Sequence, residues 1–166
     1  MAFAILYTRA QCTIDAPLVS VEVHVSNGLP GLSIVGLPEA AVRESKDRVR
    51  GALLNSHFEF PARRITINLA PGDLPKDGAR YDLAIALGIL SASGQLPQES
   101  LEDYEVVGEL ALNGALRRVP GVLPTAIQAG LARHTLIVPQ ENEAEAALGD
   151  DLDGPPRVGR LSCPGS

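Results

Sequence analysis

Tryptophan is absent from this chain and aromatic residues make up only 4% of it. An apolar interior must therefore be assembled from Val, Leu, Ile and Ala, which suits a buried sheet covered by helices. The same scarcity argues against base stacking on aromatics as the main function. Cysteine is almost as rare. Cys12 and Cys163 lie far apart and outside any Cys-x-x-Cys pair, so neither a disulfide framework nor a zinc or redox pair is implied. His24, His57 and His134 are scattered without metal-ligand spacing; each is read as a satisfied or solvent-facing side chain, and no metal is placed. The longest apolar run, around 83–90, falls short of the roughly 20 residues a membrane span needs. The apolar stretch 1–7 lacks a basic leader and a cleavage site, so it reads as a strand and the protein as cytoplasmic.

What the 166 residues do contain is 45% hydrophobic content, enough for one core. Net charge is -6, and the segment 139–153 accounts for all of it, with six acidic residues and no basic one. Residues 1–138 hold 12 basic and 14 acidic residues. That near-neutral body lacks the bias of an independent high-affinity nucleic-acid binder, so any such contact must be local or shared between subunits.

Phe3, Ile5 and Tyr7, then Val19, Val21, Val23 and Val25, alternate with period two and predict antiparallel strands. Asn27-Gly28 and Pro30-Gly31 are turn dipeptides before a short strand at 32–35. The spacing of Gly28, Gly31 and Gly36 is not a dinucleotide fingerprint. Pro38 opens a helix predicted to run to about Asn55, with Val42, Val49, Ala52 and Leu53 on one stripe and Glu39–Arg43 and Glu44–Arg48 as pairs four residues apart. Its charged side reads either as a solvated face or as a cationic surface. Arg43, Lys46, Arg48 and Arg50, followed by Arg63 and Arg64, could serve phosphates or a partner subunit's acids. A strand at 64–70, a buried helix at 81–93, a strand through Val106, Gly108, Leu110 and Leu112, a turn at Asn113-Gly114, a helix at 122–131 and a strand at 136–138 complete a mixed α/β order.

Between the strand ending at 70 and the helix starting at 81 lies the loop Pro71-Gly-Asp-Leu-Pro-Lys-Asp-Gly78. Such a loop can cradle an anion on unpaired N–H groups. Here Lys76 and Arg80 are opposed by Asp73, Asp77 and Asp82, and no Gly-x-x-x-x-Gly-Lys-[Ser/Thr] occurs, so a Walker A phosphate site is excluded.

Pro75-Lys-Asp-Gly78 before an apolar helix, with Gly108-Glu-Leu-Ala-Leu-Asn-Gly114 after it, resembles the peptidase domain of Lon-type proteases. That resemblance implies a Ser nucleophile two places after the first motif and a Lys nine places after the second. Arg80 and Leu123 stand there, and neither can act as a hydroxyl nucleophile or a desolvated amine. A longer set of motifs, Ile34-Val-Gly-Leu-Pro-Glu-Ala-Ala-Val-Arg-Glu-Ser-Lys-Asp-Arg-Val-Arg50, Phe58-Glu-Phe-Pro61, Arg64-Ile-Thr-Ile-Asn-Leu-Ala-Pro71 and Tyr81-Asp-Leu-Ala-Ile-Ala-Leu-Gly-Ile-Leu90, resembles the N-terminal domain of the ComM/YifB magnesium-chelatase-like AAA+ family and covers about 1–138.

That resemblance implies a Lon-protease-domain-like α/β sandwich with a mixed sheet, in the fold named for the second domain of a small-subunit ribosomal protein. It also implies a non-catalytic part, 1–140, of a hexameric DNA helicase linked to branch migration and natural transformation. The stretch 141–166, acidic and then Gly/Pro-rich, is expected to be a linker to an AAA+ motor absent from this sequence; ATP and Mg belong to that motor, and no cofactor is expected here. The expected partners are the motor itself, sister subunits of a ring, and single-stranded or branched DNA. Arg43, Lys46, Arg48, Arg50, Arg63, Arg64, Lys76 and Arg80 are the candidate contacts. Two alternatives stand beside this: a subunit-assembly scaffold without DNA contact, and a peptidase pairing Ser33, Ser91 or Ser93 with Lys76 or Lys46.

Overall fold

The computed structural model describes residues 2–12, 15–97, 101–153 and 158–161. Nine strands and five α-helices are assigned among them: β1 Ala2–Arg9, β2 Leu18–Ser26, β3 Gly31–Val35, α1 Ala40–Arg43, α2 Ser45–Asn55, β4 Arg64–Ala70, α3 Asp82–Ala92, β5 Tyr104–Val106, β6 Glu109–Leu110, β7 Leu116–Arg117, α4 Val122–Leu131, β8 Thr135–Pro139, α5 Glu143–Asp153 and β9 Val158–Leu161. A 3-10 turn, Gln140–Asn142, links β8 to α5. None of these helices is long and apolar enough to cross a membrane.

Seven strands form one mixed sheet in the order β3-β4-β2-β1-β5-β8-β9. β1 pairs antiparallel with β2, as expected from sequence, and β2 pairs antiparallel with β4. β3 does not fold back on β2. It pairs parallel with β4 after the α1–α2 crossover, and parallel pairing continues through β1–β5, β5–β8 and β8–β9. The chain is thus an α/β sandwich on a mixed sheet.

Period two in the strands distributes the helices over both faces. Ala4 and Leu6 of β1, the four valines of β2 and Ile65, Ile67 and Leu69 of β4 form one core with Ile85 and Ile89 of α3 and Val49 and Leu53 of α2. In β8, Ile137 joins that core, whereas Leu136 and Val138 point the other way into a second core with Val122, Ala126 and Ala129 of α4 and Ala146 of α5. Opposite residues of one strand face opposite sides of the sheet, so α4 and α5 cover the far face at the β8–β9 end. α3 is buried all round except at Leu87, in keeping with its unbroken apolar sequence. α2, by contrast, buries only the stripe Ser45, Val49, Ala52 and Leu53.

Two sequence expectations are corrected. The helix predicted from Pro38 to Asn55 is broken at Glu44, where the Asp47 amide bonds to the Glu44 carbonyl in a 3-10 step. The expected strand from Val106 to Leu112 is two pieces, because Gly108 leaves the main sheet to exchange hydrogen bonds with the α3 entry: its N–H donates to the Arg80 carbonyl (3.0 Å) and its carbonyl accepts from Leu83 (3.1 Å). β6 then pairs with β7 as a separate hairpin across the Asn113-Gly114 turn. Within the stretch 141–166, α5 packs on α4, and β9 adds to β8 as an edge strand.

Candidate nucleic-acid interface

The loop 71–78 leaves β4 through a cis Ala70–Pro71 peptide and is stitched to the turn between β3 and α1. The Lys76 amide donates to the Leu37 carbonyl (3.1 Å), and the Glu39 amide to the Lys76 carbonyl (2.8 Å). The Lys76 side chain is fully buried. Its ammonium donates to the carbonyls of Gly36 (2.6 Å) and Pro71. Burial pulls its pKa below the usual lysine value, with Asp73 partly opposing. Gly36 makes this junction sterically feasible: its φ is +104°, and a Cβ there would collide with the Leu69 carbonyl.

Arg80, standing where a Lon-type nucleophile would, is also buried. It donates to Thr125 Oγ1 (2.7 Å) and to the Pro120 carbonyl (3.3 Å) at the start of α4, while its Nε has no partner among the described residues. Desolvation lowers its pKa, against the opposing pull of Tyr81 and Glu145. Leu123, in the place of the general base, contributes only its backbone amide, which donates to Glu145 Oε1 (3.1 Å). An arginine therefore fills the frame in which a hydroxyl and an amine would have to meet. Among the described residues no hydrogen bond joins Ser33, Ser91 or Ser93 to Lys76 or Lys46 either. Ser91 Oγ is buried without a partner among the described residues, Ser93 Oγ donates to the Leu90 carbonyl, and Lys76 is committed to two carbonyls.

Arg48 is spent internally as well. Its Nε lies 2.7 Å from Asp82 Oδ2 and its second nitrogen 3.1 Å from Oδ1, and it also donates to the Ala41 carbonyl (2.8 Å). Asp82 is fully buried and accepts further from Ser45 Oγ and the Leu110 amide (3.0 Å). This fork joins α2, α3 and β6 and raises the Arg48 pKa, mainly through the bond to Asp82. The expected Glu44–Arg48 pair is present at 3.5 Å. No Glu39–Arg43 pair forms among the described residues, since Glu39 precedes the first helical turn.

The eight candidate cations thus divide by burial. Lys76, Arg80 and Arg48 hold the fold, while Arg43, Arg50, Arg63 and Arg64 are exposed and Lys46 is half-buried. Among the described residues none of these five forms an ion pair. Arg43 ends α1, Lys46 and Arg50 stand on α2, Arg63 precedes β4 and Arg64 opens it. Lys46 and Arg50 flank an open groove of about 360 Å³ between α2 and the entry to β3, and Arg63 lines a neighbouring one of about 670 Å³. Both grooves share Leu54, Phe60, Pro61 and Ala62. The Arg50 guanidinium sits 5.4 Å from the centre of the Phe60 ring. α5, carrying the acidic run, packs on α4 beside β8 and β9.

Two features had no signal in the sequence. One is the pair of grooves, which needs α2, β3 and the 58–62 segment brought together by the crossover. The other is a buried ion network between β1, β5 and the turn that follows α4. Arg9 Nε lies 2.6 Å from Glu105 Oε1, and its second nitrogen 3.0 Å from Oε2. His134 Nδ1 lies 2.8 Å from Oε2, its ring stacked at 6.4 Å on Tyr7. His134 is thereby the satisfied histidine that its sequence context suggested.

Residues 21–142 match the model of the family described as subunit ChlI of Mg-chelatase. The chain is 58% identical over 148 residues to the uncharacterized protein YifB of Salmonella typhimurium, covering 89% of this chain and 29% of that protein. It is 54% identical over 151 residues to competence protein ComM of Haemophilus influenzae, covering 91% of this chain and 30% of that one. It is also similar to Lon protease of Mycolicibacterium smegmatis, at 30% identity over 142 residues, 80% of this chain and 18% of the protease. The chain therefore spans under a third of the length of these relatives.

Proposed function

The chain belongs to the family of subunit ChlI of Mg-chelatase, and from that premise we propose that it is the non-catalytic N-terminal domain of a ComM-like AAA+ DNA helicase, acting in ring assembly and DNA contact. ATP and Mg serve the motor, and this domain serves the strand. The observation that carries the reading is the sorting of its cations: Arg43, Arg50, Arg63 and Arg64 are exposed and Lys46 half-buried, none of them in an ion pair among the described residues, and the acidic α5 packs at the β8–β9 edge of the sheet. Unpaired solvent-facing cations of this kind can meet the phosphates of a polyanion. Five scattered cations give weak binding alone, and a ring of subunits multiplies it through effective concentration. The filling of the Lon-type frame by Arg80 and Leu123 supports binding in place of peptide hydrolysis. The working compartment is then the cytoplasm.

The test is binding of labelled single-stranded and branched DNA at low salt. Charge removal at Arg43, Lys46, Arg50, Arg63 and Arg64 together abolishes binding if the reading holds. Unchanged DNA affinity in that variant sinks the DNA role and leaves subunit scaffolding.

A further inference from the structure

The segment Phe58-Glu-Phe-Pro61 lies between α2 and β4 in neither helix nor strand, yet it is held firmly. The Phe58 amide donates to the Leu53 carbonyl (3.0 Å). Gln95, just beyond α3, clamps Glu59 from both sides: its Oε1 accepts from the Glu59 amide (3.0 Å) and its Nε2 donates to the Glu59 carbonyl (2.9 Å). A further bond from Nε2 to Ser93 Oγ (2.9 Å) fixes the amide itself. The clamp keeps apolar surface out of the core. Phe58 stays 38% exposed and Leu54 49% exposed, although only three phenylalanines exist in the chain. Ordering paid before binding is ordering not lost on binding.

The two grooves meet on this ridge, and the larger, about 670 Å³, falls within the size range of small-ligand clefts. Phe58 and Phe60 both line it. The Arg50 guanidinium lies over the Phe60 ring, 5.4 Å from its centre, so this ring already carries a cation. Around the two grooves Lys46, Arg50 and Arg63 outnumber Asp47 and Glu59. A wholly apolar partner helix would bury those cations unpaired, which is costly. A flat, apolar ligand attached to phosphates would instead satisfy rings and cations together.

We infer that the exposed Phe58 ring on this ridge is a stacking platform for an unpaired base of a single nucleic-acid strand, whose phosphates are held by Lys46, Arg50 and Arg63. This rests on the nucleic-acid reading above and adds the site and the form of its ligand. A duplex keeps its base faces stacked inside, so the platform selects single strands.

The experiment compares two labelled strands of equal length, an oligothymidylate of roughly twelve nucleotides and its abasic counterpart, which has the phosphates without the bases. Fluorescence anisotropy at low salt with the 166-residue chain reads both affinities. The expected result is at least about fivefold tighter binding of the oligothymidylate. Phe58→Leu, which keeps apolar volume without a ring, and Phe58→Ala remove that difference and leave abasic binding unchanged. Equal affinity of the unmodified chain for both strands overturns the platform and leaves the phosphate contact standing. Binding to neither strand overturns both readings. A difference that survives in both Phe58 variants overturns the assignment to this ridge.

Discussion

Arg48 and Arg43 carry the same charge within two turns of each other, yet their removal should have unlike effects. Arg48→Ala deletes two bonds to a fully buried carboxylate and leaves Asp82 with only Ser45 Oγ and the Leu110 amide. Breaking a buried pair by removing one partner costs about 3–5 kcal/mol. The Arg48 side chain is 19% exposed, and Asp82 keeps two donors, so the expected cost here is lower, about 2–3 kcal/mol. At about 2–4 °C per kcal/mol for a chain of this size, Tm falls by about 4–12 °C. Arg43→Ala, at an exposed position, should stay within about 0.5 kcal/mol. Arg48→Lys separates geometry from charge. It keeps the cation but cannot span both carboxylate oxygens with a planar fork, so it should recover less than half of the loss. Urea unfolding and thermal melts of the three variants are the assay. Equal stability of Arg48→Ala and Arg43→Ala would refute the division of cations into buried and available sets.

Glu105→Gln removes the charge that Arg9 and His134 share and should cost about 3 kcal/mol in urea unfolding, with the double change Arg9→Met/Glu105→Leu costing less than the single one. Burial pushes the Tyr81 phenol up to about 12, with Arg80 opposing and Asp77 adding to the shift. Because the folded value lies above the unfolded one, this group's contribution is complete below pH 10 and is lost as pH rises from about 10 to 12, a change of about 3 kcal/mol. Tyr81→Phe should flatten that part of the stability curve, and an identical alkaline slope in the variant would contradict the assignment. Gly36→Ala places a Cβ against the Leu69 carbonyl at a φ of +104° and should cost about 3 kcal/mol or more, or prevent folding. Arg80→Ser should hydrolyse no peptide substrate, since Leu123 supplies no amine; any turnover above the unmodified chain would revise the account of that frame.

The sheet core was legible because its signal is local. Val19, Val21, Val23 and Val25 alternate within one strand, and the strand direction makes that alternation a buried face. What could not be read was which cations remain in solvent. Arg48, Lys76 and Arg80 have the same sequence signature as Arg43 and Arg50. Their fates are set by groups distant in the chain: Asp82 for Arg48, Gly36 for Lys76, and Thr125 for Arg80. The grooves escaped for the same reason, since β3 pairs with β4 only after a crossover that no local pattern specifies.

If the solvent-facing cations Arg43, Arg50, Arg63 and Arg64 bind the phosphates of DNA, affinity depends on salt. Affinity of the chain for single-stranded DNA, plotted as log K against log salt, should fall with a slope of about -0.7 per phosphate neutralised. Arg63→Gln and Arg64→Gln should each reduce that slope by roughly one such step, whereas substitutions at Lys76 or Arg80 that preserve folding leave it unchanged. A slope unaffected by Arg63 and Arg64, or affinity that does not respond to salt at all, would contradict the account.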